Sequence, residues 1–296
     1  MAKITIPDEL KSDVPPSAWG KVLTATPVIL TVVATALAGL ASSEMTRAQY
    51  SRALAAQQQS KAGDQWGYFQ AKRLRSALQH NTLDLLESTT DVHPLETAAL
   101  EEAGADPQAV AALQQAKLPA IAPAAAYTPD LSATLNAIEN FQEQPAAFYR
   151  LKDQTVAEAL LAAQNRAAEF DAATKPVNQV IERLERRFNQ EAASLQTRRD
   201  FIAARLRYTA ARYDTEARLN QAIANMFEVQ VRRSNVEAAR HHRRSQRFFY
   251  GMLAAQAGVI IATFSLAARK RSFLWGLAAA AGAAAISFAI YVYLFV

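Results

Sequence analysis

Few residues in this sequence have the type and spacing that chemistry needs. The histidines are His80, His93, His241 and His242. The adjacent pair is the natural metal-ligand candidate, but neighbours on a helix point about 100° apart. His241 and His242 therefore cannot readily share one ion. Glu101 and Glu102 are paired carboxylates of the kind used in acid–base work, yet they lie in a proline-broken acidic stretch and read as a solvated face. The absence of cysteine removes thiolate metal sites, disulfides and thiol catalysis. The sequence has no glycine-rich phosphate loop, nucleophile elbow or zinc-binding helix motif. No catalytic residue, metal ligand or cofactor is assigned from it, and a non-enzyme is expected. The chemistry that remains is electrostatic. Arg240, Arg243, Arg244 and Arg247 cluster around the two adjacent histidines. They suit anionic lipid head groups, at about 1 kcal/mol per basic residue near a membrane surface. Snorkelling of the same side chains gives an interfacial anchor.

That reading requires a membrane, and the sequence supplies one. Residues 22–43, 248–268 and 272–296 form three uncharged apolar runs of 22, 21 and 25 residues. A hydrocarbon core of ~30 Å needs about 20 helical residues, so each run predicts a spanning helix. The first run is too long, and begins too far along the chain, for a signal peptide, so an uncleaved span is expected. Arg269, Lys270 and Arg271 form a tight basic turn between the second and third spans. Small residues recur at every fourth position, as Ala254, Gly258 and Ala262 in the second span and Gly276, Ala280 and Ala284 in the third. Such ridges permit close helix–helix approach and predict a packed hairpin. The spans hold no ionisable group besides tyrosine hydroxyls near their ends, which argues against proton-coupled pumps.

The rest of the chain divides by composition. Residues 1–21 are a polar tail, and 44–90 read as an amphipathic helix weakened locally at Gly63 and Gly67. On it Trp66, Leu74, Ala77, Leu78 and Leu85 fall within about 120° of arc, a core-facing or partner-facing stripe. Residues 91–149 carry eight carboxylates against Lys117 alone and hold six of the eleven prolines, marking an acidic Pro/Ala-rich insertion or cap. Residues 150–247 read as a long Arg-rich helical arm interrupted at Pro176. After it no glycine or proline occurs until Gly251. A single helix over 177–250 would be about 110 Å long. Ile181, Leu184, Phe188, Ala192, Leu195, Ile202, Leu206, Tyr213, Ala217, Ile223 and Phe227 mark its apolar seam at coiled-coil-like spacing, with Arg198 and Arg199 out of phase. Antiparallel pairing with the 44–90 helix is expected to cover that seam. The net charge of +5 does not point to nucleic acid, because the arginines are interleaved with carboxylates as on a solvated helix face.

Two segments carry a resemblance. The stretch SKAGDQWGYFQAKRLR at 60–75 resembles a signature of a bacterial family known as domain of unknown function 4337, through Lys61, Asp64, Gln65, Trp66, Tyr68, Gln70, Ala71 and Lys72. The stretch 239–276 is similar to that family's basic, histidine-containing lead into a two-span hairpin with a basic turn. The resemblance covers roughly 22–88 and 177–296, with the acidic segment departing from the family pattern. It implies a membrane location and little about function. Within the signature, Trp66, Tyr68 and Phe69 cannot share one stripe, so a packing knot or a partner contact is expected there.

The sequence thus predicts an all-α membrane protein with three transmembrane helices and a long antiparallel coiled-coil-like helical domain bearing a Pro-rich acidic insertion. The expected role is a homo-oligomeric structural scaffold contacting anionic lipids in a bacterial inner membrane. The alternative is a channel or transport subunit whose Thr24, Thr31, Thr35, Gln256 and Thr263 face a lumen. Nine basic residues flank the spans on the side of residues 44–247 and six on the other, placing the large domain in the cytoplasm by the positive-inside rule.

Overall fold

The computed structural model describes residues 18–97, 100, 107–123, 126–142, 145–190, 194–267 and 271–295. The described residues form helices and connecting segments without a strand. We number the helices α1 (Ala18–Thr89), α2 (Pro107–Gln115), α3 (Pro129–Glu139), α4 (Pro145–Arg150), α5 (Asp153–Gln190), α6 (Leu195–Ala267) and α7 (Arg271–Phe295). Three of them, α1, α6 and α7, are long and apolar enough to cross a membrane. The chain forms two compact units: the described residues up to Ala53 together with those from Ser234 on, and Leu54–Arg233.

The first unit is a three-helix membrane bundle. Its core runs through Ala34, Leu37 and Ala41 of α1, Phe248 and Ala255 of α6, and Ala285 and Val292 of α7. A second cluster joins Leu30, Ala262 and Ala278. Buried positions on α6 (Phe248, Ala255, Ala262) and on α7 (Ala278, Ala285, Val292) recur every seven residues. That is the period of left-handed supercoiled packing. Gly258 permits a close approach: a Cβ there would lie 3.1 Å from Leu30 Cδ1 and 3.2 Å from the Ala278 carbonyl oxygen. Leu30 also fills the space over Gly282, where a Cβ would meet its Cδ2 at 2.5 Å. Trp275 Nε1 donates to Thr26 Oγ1 at 3.0 Å, tying the start of α7 to α1.

In the second unit, α6 is the central helix. Its contacts with α1 run in opposite chain directions. Arg207 pairs with Glu87, Thr209 Oγ1 donates to Gln79 Oε1 at 3.2 Å, Ser76 Oγ donates to the Ala210 carbonyl at 3.0 Å, and Arg73 pairs with Asp214 at 2.8 Å. The contacts with α5 are antiparallel too. Phe188 and Phe201 stack edge to face at 5.1 Å, Arg205 pairs with Glu185, Arg212 Nη1 donates to Asn178 Oδ1 at 2.6 Å, and Arg233 pairs with Asp153.

The single helix expected over 177–250 is therefore two antiparallel helices, one ending at Gln190 and the next starting at Leu195. No glycine or proline marks this reversal. Ser194 does: its Oγ accepts from Thr197 N at 3.0 Å and caps α6. Arg198 and Arg199 break the seam because the seam changes helix there; Ala192 of that seam lies outside the described residues. Leu195 is exposed, while Leu206, Ala217, Ile223 and Phe227 are buried.

Other expected breaks are absent as well. α5 continues through Pro176, which sits on its exposed side, where water can satisfy the carbonyl left unpaired. α1 likewise runs through Pro27, Gly63 and Gly67.

The 91–149 segment runs back along the bundle. His93 N donates to Asp200 Oδ1 at 2.8 Å near the α5–α6 reversal. Ala109, Ala112 and Leu113 of α2 then pack on Val177, Val180, Ile181 and Leu184 of α5. Arg166 Nε holds the extended Ala122 carbonyl at 3.0 Å. Leu131 of α3 finally joins Leu151, Val156, Met226 and Val229, beside the start of α5. The acidic segment thus returns the chain from the end of α1 to where α5 must begin.

Candidate functional site

Two groups of polar residues are positioned by this framework. The first is the signature face of α1 in the helical unit. Buried positions on α1 follow a seven-residue period, so Gln65, Phe69, Lys72, Ser76 and Gln79 point toward α6. Trp66 Nε1 donates to Glu228 Oε1 at 2.9 Å, and its ring meets Phe69 edge to face at 5.4 Å. Lys61 Nζ lies 6.0 Å over the Phe227 ring. Lys72 pairs with the buried Glu216 and also lies 5.2 Å over the Tyr213 ring, with Arg212 on the same ring at 4.7 Å. Arg212 Nε is 3.3 Å from the other Glu216 oxygen. Beside them Tyr208 is fully buried with no partner for its hydroxyl among the described residues. Burial pushes its ionisation up to about 12, with Arg212 lowering it and Glu216 raising it to lesser degrees.

The signature therefore divides. Gln65, Trp66 and Lys72 belong to the α1–α6 contact, and Lys61 reaches over it. Asp64, Tyr68, Gln70 and Ala71 are exposed. Leu74, Leu78 and Leu85, expected in a core-facing or partner-facing stripe, are also exposed, at 63%, 52% and 64%.

The second group lies in the membrane unit, where the α1 span and α7 end and the α6 span begins. Glu44 is only 8% exposed. Its Oε2 is 2.6 Å from His241 Nδ1 and its Oε1 is 3.3 Å from Arg47 Nη1. Ser245 Oγ donates to the Ala41 carbonyl at 2.7 Å. His242 contacts Gln246 at 3.1 Å and faces away from His241's partner, so the adjacent histidines serve separate contacts. A cleft of about 530 Å³ opens beside Glu44. Its polar end is Ser43, Glu44, Arg47 and Arg244, and its walls include Leu40, Phe248, Ile290 and Leu294. Arg244 Nε is buried there without a hydrogen-bond partner among the described residues.

Of the basic residues singled out in the sequence, Arg243 is exposed and bonds the Ala239 carbonyl of its own helix. Arg240 is half-buried, and Arg247 lies 5.1 Å over the Tyr291 ring. Arg269 and Lys270 lie outside the described residues, as does the side chain of Arg271. The small-residue ridges are realised unequally. Gly258 and Ala262 are packed and Ala254 is half-buried, but Gly276, Ala280 and Ala284 face outward. Ala278, Gly282 and Ala285 form the packed ridge of α7 instead, because Leu30 of α1 seats on Gly282.

The sequence reading passed over Glu44, Glu216 and Tyr208. The available signal was Glu44 itself, the first charge after the first span.

Residues 19–175, just over half of the chain, match the model of the family described as domain of unknown function 4337. The match contains the first span and the 60–75 signature. It also includes the acidic segment, which was expected to depart from the family, and it ends before 239–276. No curated protein and no solved structure matches the chain.

Proposed function

We propose that this chain, which belongs to the family described as domain of unknown function 4337, is a non-enzymatic, homo-oligomeric scaffold of the bacterial inner membrane. Its basic cluster contacts anionic head groups, and residues 44–247 lie on the cytoplasmic side. One observation carries the reading. Gly63, Gly67, Ala71, Leu74, Leu78 and Leu85 follow one another at spacings of three, four or seven along α1 and are all exposed. A Cβ at Gly63 or Gly67 would meet nothing within 4 Å. This is a charge-free helical face of the kind that packs on a like face, small residues giving close approach and leucines the apolar area. A non-enzymatic role is supported by the signature's polar groups, since Trp66 and Lys72 are engaged with Glu228 and Glu216 in helix contacts.

The test is the mass of the purified full chain in detergent, with Leu74→Glu and Leu78→Glu variants. The wild type is expected to run as an oligomer and the variants as monomers of unchanged helicity, because the substituted side chains are exposed. A monomeric wild type would overturn the reading.

A second reading, a channel or transport subunit, has its own observation. Thr31, Thr35 and Gln256 share a cleft of about 460 Å³ along the outer surface of the α1 and α6 spans. The threonine hydroxyls bond carbonyls of their own helix, whereas the Gln256 side chain is exposed in the middle of a span. Thr24 and Thr263 are exposed but outside that cleft. Conductance in a reconstituted bilayer that disappears in Gln256→Leu would favour this reading over the scaffold.

A further inference from the structure

We propose that the cleft beside Glu44 is a specific site for one membrane lipid with a phosphate-containing anionic head group. This deepens the head-group reading above, which needs only a basic surface, by assigning a single lipid to a built cavity. The volume of about 530 Å³ lies in the range of small-molecule sites. Its composition is that of an amphiphile site: Leu40, Phe248, Ile290 and Leu294 form an apolar wall, and Ser43, Arg47 and Arg244 gather at one end. Leu40, Ile290 and Leu294 are exposed, so the apolar side is open to the surrounding hydrocarbon and an acyl chain can enter laterally.

The charge balance at the polar end calls for an anion. Among the described residues Glu44 is the one carboxylate lining the cleft, and both of its oxygens are already engaged, by His241 and by Arg47. Arg244 lacks such a counterpart among the described residues: its Nε is buried with no hydrogen-bond partner there. An unmatched guanidinium N–H at the edge of a bilayer is costly, and guanidinium meets phosphate oxygens in a paired geometry. A phosphate group at this end would accept from Arg244 and stand within the field of Arg47, while its acyl chain covers the wall below. A zwitterionic lipid fits less well, because its cation would be brought beside Arg47 and Arg244.

Binding is read by native mass spectrometry of the delipidated full chain in neutral detergent, titrated with phosphatidylglycerol or with phosphatidylcholine. Retention of one phosphatidylglycerol per chain is expected, with phosphatidylcholine lost. Arg244→Gln should weaken retention about tenfold or more, the scale of a charged hydrogen bond. Arg52→Gln removes the same charge from an exposed position of α1 in the same unit and should leave retention unchanged. Ile290→Trp should also weaken it, by narrowing the apolar wall without altering any charge; if Arg244→Gln does not fold, this variant carries the test. Equal weakening by the two arginine substitutions would reduce the site to bulk electrostatics and overturn the proposal. Equal retention of phosphatidylcholine would overturn it too, as would displacement of the lipid by millimolar inorganic phosphate. Lipid is counted per chain, so a monomeric protein would sink the scaffold reading without touching this one.

Discussion

Glu216 is 7% exposed and held between Lys72 and Arg212. A carboxylate at such a depth is tolerable only because both cations come with it, and such pairs are more often specifiers of register than sources of stability. Here they fix how the signature of α1 meets α6. Tyr208 sits beside them under different terms, since its hydroxyl is buried without a partner among the described residues and its ionisation is pushed up to about 12. The neutral phenol is the folded form. Between pH 10, where an unfolded tyrosine ionises, and about 12, the unfolded chain binds fewer protons than the folded one, so stability falls as pH rises. Below pH 10 the group contributes no slope. Tyr208→Phe removes an unpaired polar atom and should leave stability at pH 7 unchanged or raised, by up to about 1 kcal/mol. It should also flatten the decline between pH 10 and 12. Melting curves of both proteins across that range check the prediction; a loss of stability at pH 7 would mean that the hydroxyl has a partner after all.

At the scale of elements, the three spans were legible because about 20 uncharged apolar residues in succession have few alternatives to a membrane helix. The inward face of α1 was not. Lys72, Ser76 and Gln79 look like surface residues until α6 supplies Glu216, the Ala210 carbonyl and Thr209. Polar complementarity of this kind lies in the pair of helices, and apolar periodicity cannot find it. The outer leucines then took the weight of the pattern. The α7 ridge failed for a related reason: every fourth residue of an alanine-rich helix is small on more than one face, and only the position of Leu30 selects Gly282 over Gly276. The reversal between α5 and α6 was hidden because it uses a serine cap in place of glycine or proline. That cap is testable. Ser194→Ala should cost about 1 kcal/mol and lower the thermal midpoint by about 2–4 °C, while Ser194→Asp should restore it. An unchanged midpoint in the alanine variant would show that packing of Phe188 on Phe201 alone fixes the reversal.

For the whole molecule, an odd number of spans makes sidedness a sharp question. Residues 44–247 lie between the first and second spans, so they occupy one side and residues 1–21 the other. The basic residues near the spans count nine against six in favour of a cytoplasmic domain. The positive-inside rule weakens for long loops, and the Arg269–Arg271 turn pulls the opposite way. The chain has no cysteine, so a single introduced thiol reports without interference. Leu195 opens α6 and is 73% exposed, which makes Leu195→Cys accessible without disturbing a packed residue. In intact bacterial spheroplasts, a membrane-impermeant maleimide should label Ser12→Cys and leave Leu195→Cys unlabelled until the membrane is permeabilised. The reverse pattern would put the helical unit outside the cytoplasm and leave the three spans intact. Labelling of both thiols before permeabilisation would be incompatible with a single spanning helix between them, because only one crossing separates residue 12 from residue 195.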